Sequence, residues 1–160
     1  MEDEKEIKDE NIEMPPIPEV NFEYVDHTAD IQLHGWGKSV PEAFEQTVMA
    51  MFGYMAGEIT EIENSYSFDI PATGHDLNSL LFNLLDQCLY FFNTEPFFIP
   101  RVIKLIDFDR TNFKITARGW GESFDDKYHS LGTEVKAITY SNLQIHETPE
   151  RTDAYIIVDI

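Results

Sequence analysis

The stretch DLNSLLFNLLDQCLYFF, Asp76 to Phe92, decides the fold class. Leu77, Leu80, Leu81, Leu84, Leu85, Cys88 and Leu89 recur every three or four residues, which lines one side of an α-helix with apolar groups. Asp76 stands just before the run, where its side chain can cap the first free N–H groups, so the pattern predicts a helix over roughly 77–92. The stripe is wide, as for a helix at the centre of a core. Pro96 and Pro100 end that segment.

Upstream, SVPEAFEQTVMAMFGYM (39–55) predicts a second helix. Ser39 lies three residues before Glu42, the capping-box spacing, and Pro41 is tolerated in the first turn. Val40, Ala43, Phe44, Thr47, Val48, Met51, Phe52 and Met55 form its inner stripe. Further out the period drops to that of strands: Phe22–Asp26, Ile31–Trp36, and the alternation of Tyr66, Phe68 and Ile70. Downstream, strands are expected over Arg101–Phe108, Phe113–Arg118, Val135–Tyr140 with a continuation to His146, and Tyr155–Ile160. Turn residues at Asp109–Asn112 suggest a hairpin. Two helices among many strands, without βαβ alternation, predict an α+β fold: one compact domain, 21–160, with two helices packed on mostly antiparallel β-sheet. Residues 1–20 are charged, poor in aromatics and closed by Pro15, Pro16 and Pro18, which reads as a disordered acidic N-terminal arm. Gly35-Trp36-Gly37 and Gly119-Trp120-Gly121 each follow strand-like sequence; the expectation is turns at the glycines and strand ends anchored by the tryptophans.

Composition narrows the function classes. The chain has 160 residues, and its 42% hydrophobic content suffices for a continuous core. No apolar run approaches a membrane span, and the start lacks the features of a secretory signal, so no membrane association is expected. The single cysteine, Cys88, allows no internal disulfide and points to a reducing compartment, cytoplasm or nucleus. Net charge is −19; residues 1–20 hold eight acids and two lysines, which leaves −13 on the body. Such a surface repels phosphate backbones, so direct stable nucleic-acid binding is not expected, whereas cations or a basic partner are.

The chemistry-bearing residues are few. DHTAD, Asp26 to Asp30, puts two acids and a histidine in five residues. In an extended chain Asp26 and Asp30 point to one side with His27 opposite, an arrangement that a turn would alter. Carboxylates suit hard cations such as calcium or magnesium, but one short cluster does not complete a coordination shell. Val158-Asp159-Ile160 closes an apolar run, AYIIVDI, and brings the Asp159 side chain and the carboxylate of Ile160 to one place. Were that strand to neighbour the one carrying DHTAD, these groups would converge and repel unless a cation or proton intervened. The scattered histidines and the lone cysteine disfavour zinc. Cys88 sits on an apolar helix face, no GxSxG, P-loop or GxGxxG is present, and no nucleophile–base pair emerges, so no catalytic residue is assigned.

Together, YVDHTADIQLHGWG (24–37), EAFEQTVMAMFGYM (42–55), SLLFNLLDQCLYFF (79–92), FFIPR (97–101), GWGESF (119–124), GTEVKAITY (132–140) and the closing VDI (158–160) make the chain resemble the archeases, in particular the animal-type members with an acidic N-terminal arm. The resemblance runs from about residue 22 to the last. It implies a compact α+β domain and a protein that is not an enzyme by itself. Its implied partner is a tRNA-splicing RNA ligase and its complex, whose GTP-dependent guanylylation and repeated turnover it would promote. The implied cofactor is a divalent metal, calcium first, with magnesium or manganese as alternatives. The metal residues carried over are Asp30, Asp159 and Ile160, with Asp26 and Lys136 as supporting or ligase-contact residues. The rival readings are a metal-dependent phosphoester hydrolase using the same carboxylates and a generic calcium-binding, chaperone-like module.

Overall fold

The structure is a computed structural model that describes residues 13–26 and 29–160. Among the described residues eight strands form two antiparallel sheets, and two α-helices share one hydrophobic core with them. The first sheet takes β1 (Phe22–Asp26), β2 (Asp30–Gly37), β8 (Thr152–Asp159) and β6 (Ala137–Ile138) in that order, and β7 (Gln144–Glu147) also pairs with β8. The second sheet runs β3 (Tyr66–Thr73), β5 (Lys114–Ser123), β4 (Phe98–Asp109). Helix α1 (Val40–Met55) packs on β2, β8 and β4, and so joins the two sheets; α2 (Leu77–Asn93) lies chiefly on β3. The α+β class expected from the sequence is the architecture found, with its sheet divided in two.

Both helices begin where side chains can satisfy their first N–H groups. Asp76 and Ser79 form a reciprocal capping box, with Ser79 N–H donating to Asp76 Oδ1 at 2.7 Å. At α1 the cap differs from the expected box. Ser39 Oγ accepts from Glu42 N–H at 3.3 Å, but the Glu42 carboxylate reaches one residue further back and accepts from Lys38 N–H at 2.8 Å. The stripes then bury as their periods require. Val40, Phe44, Val48, Met51 and Phe52 of α1, and Leu80, Leu81, Leu84, Leu85 and Cys88 of α2, are all buried. Each such aliphatic or aromatic side chain contributes about 1.5–3 kcal/mol by leaving water.

Three departures from the sequence reading have local causes. First, the strand expected from Arg101 begins earlier: β4 starts at Phe98 and runs through Pro100, because a register shift between Pro100 and Val102 accommodates a residue without an N–H. Second, the Gly-Trp-Gly segments lie inside β2 and β5 and make no turns. A Cβ on Gly35 would press into Thr47 of α1, within 2.7 Å of its backbone nitrogen, and one on Gly121 would strike the Ile99 carbonyl. These glycines exist for close approach. Trp120 is buried, whereas Trp36 lies half-buried on the face of β2 away from α1, with the Arg151 guanidinium 4.8 Å from its ring centre. Third, the expected strand from Val135 to His146 is broken into β6 and β7 by a turn at Tyr140–Leu143, in which Asn142 takes a left-handed conformation (φ 54°).

The edge strand β3 is closed to further pairing by its own sequence and by α2. Pro71 has no N–H to offer; Asn83 Nδ2 donates to the Thr73 carbonyl at 2.7 Å and Gln87 Nε2 to the Pro71 carbonyl at 3.1 Å. Of the expected arm, residues 1–12 lie outside the described residues. Its last residues run without helix or strand beside α1, where Gln46 Nε2 donates to the Glu19 carbonyl at 2.9 Å and Gln46 Oε1 accepts from Asn21 N–H at 2.9 Å.

Candidate metal site

Strand β8 neighbours β2, and the register sets Asp30 directly opposite Asp159. Opposed residues of an antiparallel pair project to the same side. In β2, Ile31 and Leu33 are buried towards α1, so Asp30, Gln32, His34 and Trp36 occupy the other face, as do Asp153, Tyr155, Ile157 and Asp159 of β8. Ile160 is tied to the same end of the sheet, since its N–H donates to the Ala29 carbonyl at 3.3 Å. β6 borders the site from the far side: Ala137 pairs with Asp159, and Lys136 N–H donates to the Asp159 carbonyl at 2.8 Å. Asp30, Asp159 and Ile160 are thus brought together, with Lys136 next to them.

Asp26 is not part of that group of side chains. It pairs with Ile31, whose side chain faces the core, so the pleat directs Asp26 to the face opposite Asp30. The chain reverses between β1 and β2, and the same-side geometry of an extended segment does not apply. His27, the third ionisable residue of the segment, lies outside the described residues.

Asp30 Oδ1 is buried and has no hydrogen-bond partner among the described residues. A buried acceptor left in that state costs about 1–3 kcal/mol, and a facing carboxylate adds repulsion. A hard divalent cation would relieve both terms, and an all-oxygen donor set suits calcium, magnesium or manganese better than zinc. Among the described residues no three His, Cys, Asp or Glu side chains group as a metal cage. A cation at this end of the sheet would therefore draw on two aspartates and the main chain of Ile160.

A second polar constellation on the same face went unread in the sequence, because its members come from three strands. His34, only 6% exposed, has Nδ1 2.8 Å from Glu23 Oε2 and Nε2 2.8 Å from Asp153 Oδ1, and its ring stacks on Tyr155 at 4.1 Å. Burial pushes the Asp153 carboxyl up, but the hydrogen bonds from Arg151 and His34 outweigh it and hold the group below the usual carboxylate range. The cluster clamps β1, β2 and β8 together beyond the acidic end. Cys88 is fully buried, and burial pushes its thiol far above the ordinary range, so it offers no nucleophile.

The family model described as the Archease protein family matches residues 22–160. The chain is 49% identical over 146 residues to Protein archease of Danio rerio, covering 91% of this chain and 88% of that one. It is 48% identical over 139 residues to Protein archease-like of Caenorhabditis elegans, covering 87% and 89% respectively. The solution structure of Methanobacterium thermoautotrophicum protein 1598 superposes with a TM-score of 0.74 at 28% identity, covering 89% of this chain and all of that one.

Proposed function

Because this chain belongs to the archease family, we propose that it is a non-enzymatic accessory factor of a tRNA-splicing RNA ligase in the cytoplasm or nucleus. It promotes the ligase's GTP-dependent guanylylation and repeated turnover through a divalent cation held by Asp30, Asp159 and Ile160. The observation that carries this reading is the pairing of Asp30 with Asp159 while Asp30 Oδ1 lies buried without a partner among the described residues. Bound there, a cation would supply positive charge for phosphate oxygens during nucleotidyl transfer. The chain's own part is to hold the two aspartates in register on paired strands, and to fix the main chain of Ile160 against Ala29 at the sheet end. Lys136 stands beside Asp159 as a contact for the ligase. A net charge of −19 makes independent capture of RNA unfavourable and suits a basic protein partner.

The test is ligase guanylylation and multiple-turnover RNA joining with and without the protein. Wild type is expected to stimulate both, and Asp30→Ala or Asp159→Ala to abolish stimulation while melting as a folded protein. Full stimulation by Asp30→Ala refutes the metal-site reading. Hydrolysis of a phosphate ester by the protein alone, lost in Asp30→Ala, would assign it to the hydrolases instead.

A further inference from the structure

The break between β6 and β7 places Asn142 where a continuous strand could not. From the left-handed turn its Nδ2 donates to Gln32 Oε1 at 2.6 Å, reaching across β8 to β2. Asn142 Oδ1 in turn accepts from Gln144 Nε2 at 2.6 Å, and Gln144 Oε1 lies 2.8 Å from His146 Nε2. Every member of this row therefore donates in one direction, from His146 towards Gln32. The row ends on the Gln32 amide nitrogen, which donates to none of the described residues.

Gln32 sits on the same face as Asp30, two residues along β2, a rise of about 7 Å. Its cross-strand partner is Ile157, so Asp159 is its diagonal neighbour, at a separation of about 7–8 Å that long side chains span. The acid row offers only acceptors, which repel any phosphate brought to them. A neutral amide oriented by Asn142, whose N–H groups donate to none of the described residues, is a donor that a phosphate oxygen at this end of the sheet could use without disturbing the cation.

We infer that Gln32 donates to a phosphate oxygen of the nucleoside triphosphate bound at the Asp30–Asp159 end, and that Asn142 and Gln144 are positioning residues that aim it. This rests on the metal-site reading above and adds a substrate-contacting residue that no carboxylate supplies. Were the amide turned the other way, its oxygen would face the cation instead, and the two arrangements respond oppositely to Gln32→Glu.

The experiment uses the full chain with the ligase complex and reads two quantities. One is the KM for GTP and the kcat of stimulated guanylylation. The other is calcium binding to the protein alone by calorimetry, with and without GTP. Gln32→Leu and Gln32→Glu are expected to raise the GTP KM about tenfold, a hydrogen bond to a charged group, and to remove any gain in calcium affinity produced by GTP. Gln32→Leu leaves calcium binding without nucleotide within about twofold. Asn142→Ala shifts the KM in the same direction by less. A Gln32→Leu KM equal to wild type overturns the role of Gln32 while the metal site stands. Tighter calcium binding with a lower KM in Gln32→Glu overturns it in favour of an oxygen ligand. Stimulation absent in the wild type overturns both readings together.

Discussion

Asp76 carries a measurable share of the fold through one carboxylate. Backbone and side-chain hydrogen bonds from Ser79 hold its carboxyl below the usual range. Because the folded value is depressed, the stabilisation is fully present above the unfolded value of about 3.9 and is lost as pH falls through the folded one. Asp76→Ala is expected to cost about 1 kcal/mol in urea unfolding at pH 7, with the gap to wild type closing in strong acid. His34 is the corresponding residue of the outer sheet face. Replacing it by Ala removes two hydrogen bonds and a stacked ring from a buried position, which should lower stability by about 2–3 kcal/mol by the same measurement. A variant within 0.5 kcal/mol of wild type, roughly the surface-substitution range, would show that the clamp is ornamental.

At the scale of elements, the approach of α1 to β2 is set by Gly35. Gly35→Ala puts a methyl group against the Thr47 backbone, so the helix must lift or the strand must bend. The expected loss is about 1–3 kcal/mol of stability, visible as a lowered thermal midpoint. The helices were legible in the sequence because their information is local: a 3.6-residue stripe and a capping side chain within four residues. The Asp109–Asn112 hairpin was legible for the same reason. The β6–β7 break was not, since the left-handed Asn142 is held partly by Gln32, far away in the chain. Likewise Asp30 and Asp159 could be singled out separately by residue type, but their pairing depends on β8 inserting between β2 and β6, which no local spacing encodes. The same-side placement of Asp26 and Asp30 that an extended chain would give is cancelled by the β1–β2 reversal.

For the whole molecule the dominant quantity is charge. At −19, encounter with a basic partner, as the proposed ligase would be, is expected to be steered by long-range attraction and screened by salt. The association rate with the ligase complex, followed by stopped-flow fluorescence, is expected to fall about tenfold between 0.02 and 0.5 M salt; a flat profile would mean that the acidic surface serves solubility alone.

Strand β8 touches β2, β6 and β7, yet every strand it joins precedes it in the chain. During synthesis the middle of the five-stranded sheet stays vacant until the rest has left the ribosome. Asp30 meets Asp159 in the same step that seals Ala154, Ile156 and Val158 into the core. Removing β8 would thus take out the sheet's central strand and the residue paired with Asp30 together: a polypeptide cut short before Thr152 is expected to lose its fold and the proposed cation site at once, with no folded but cation-free form left over.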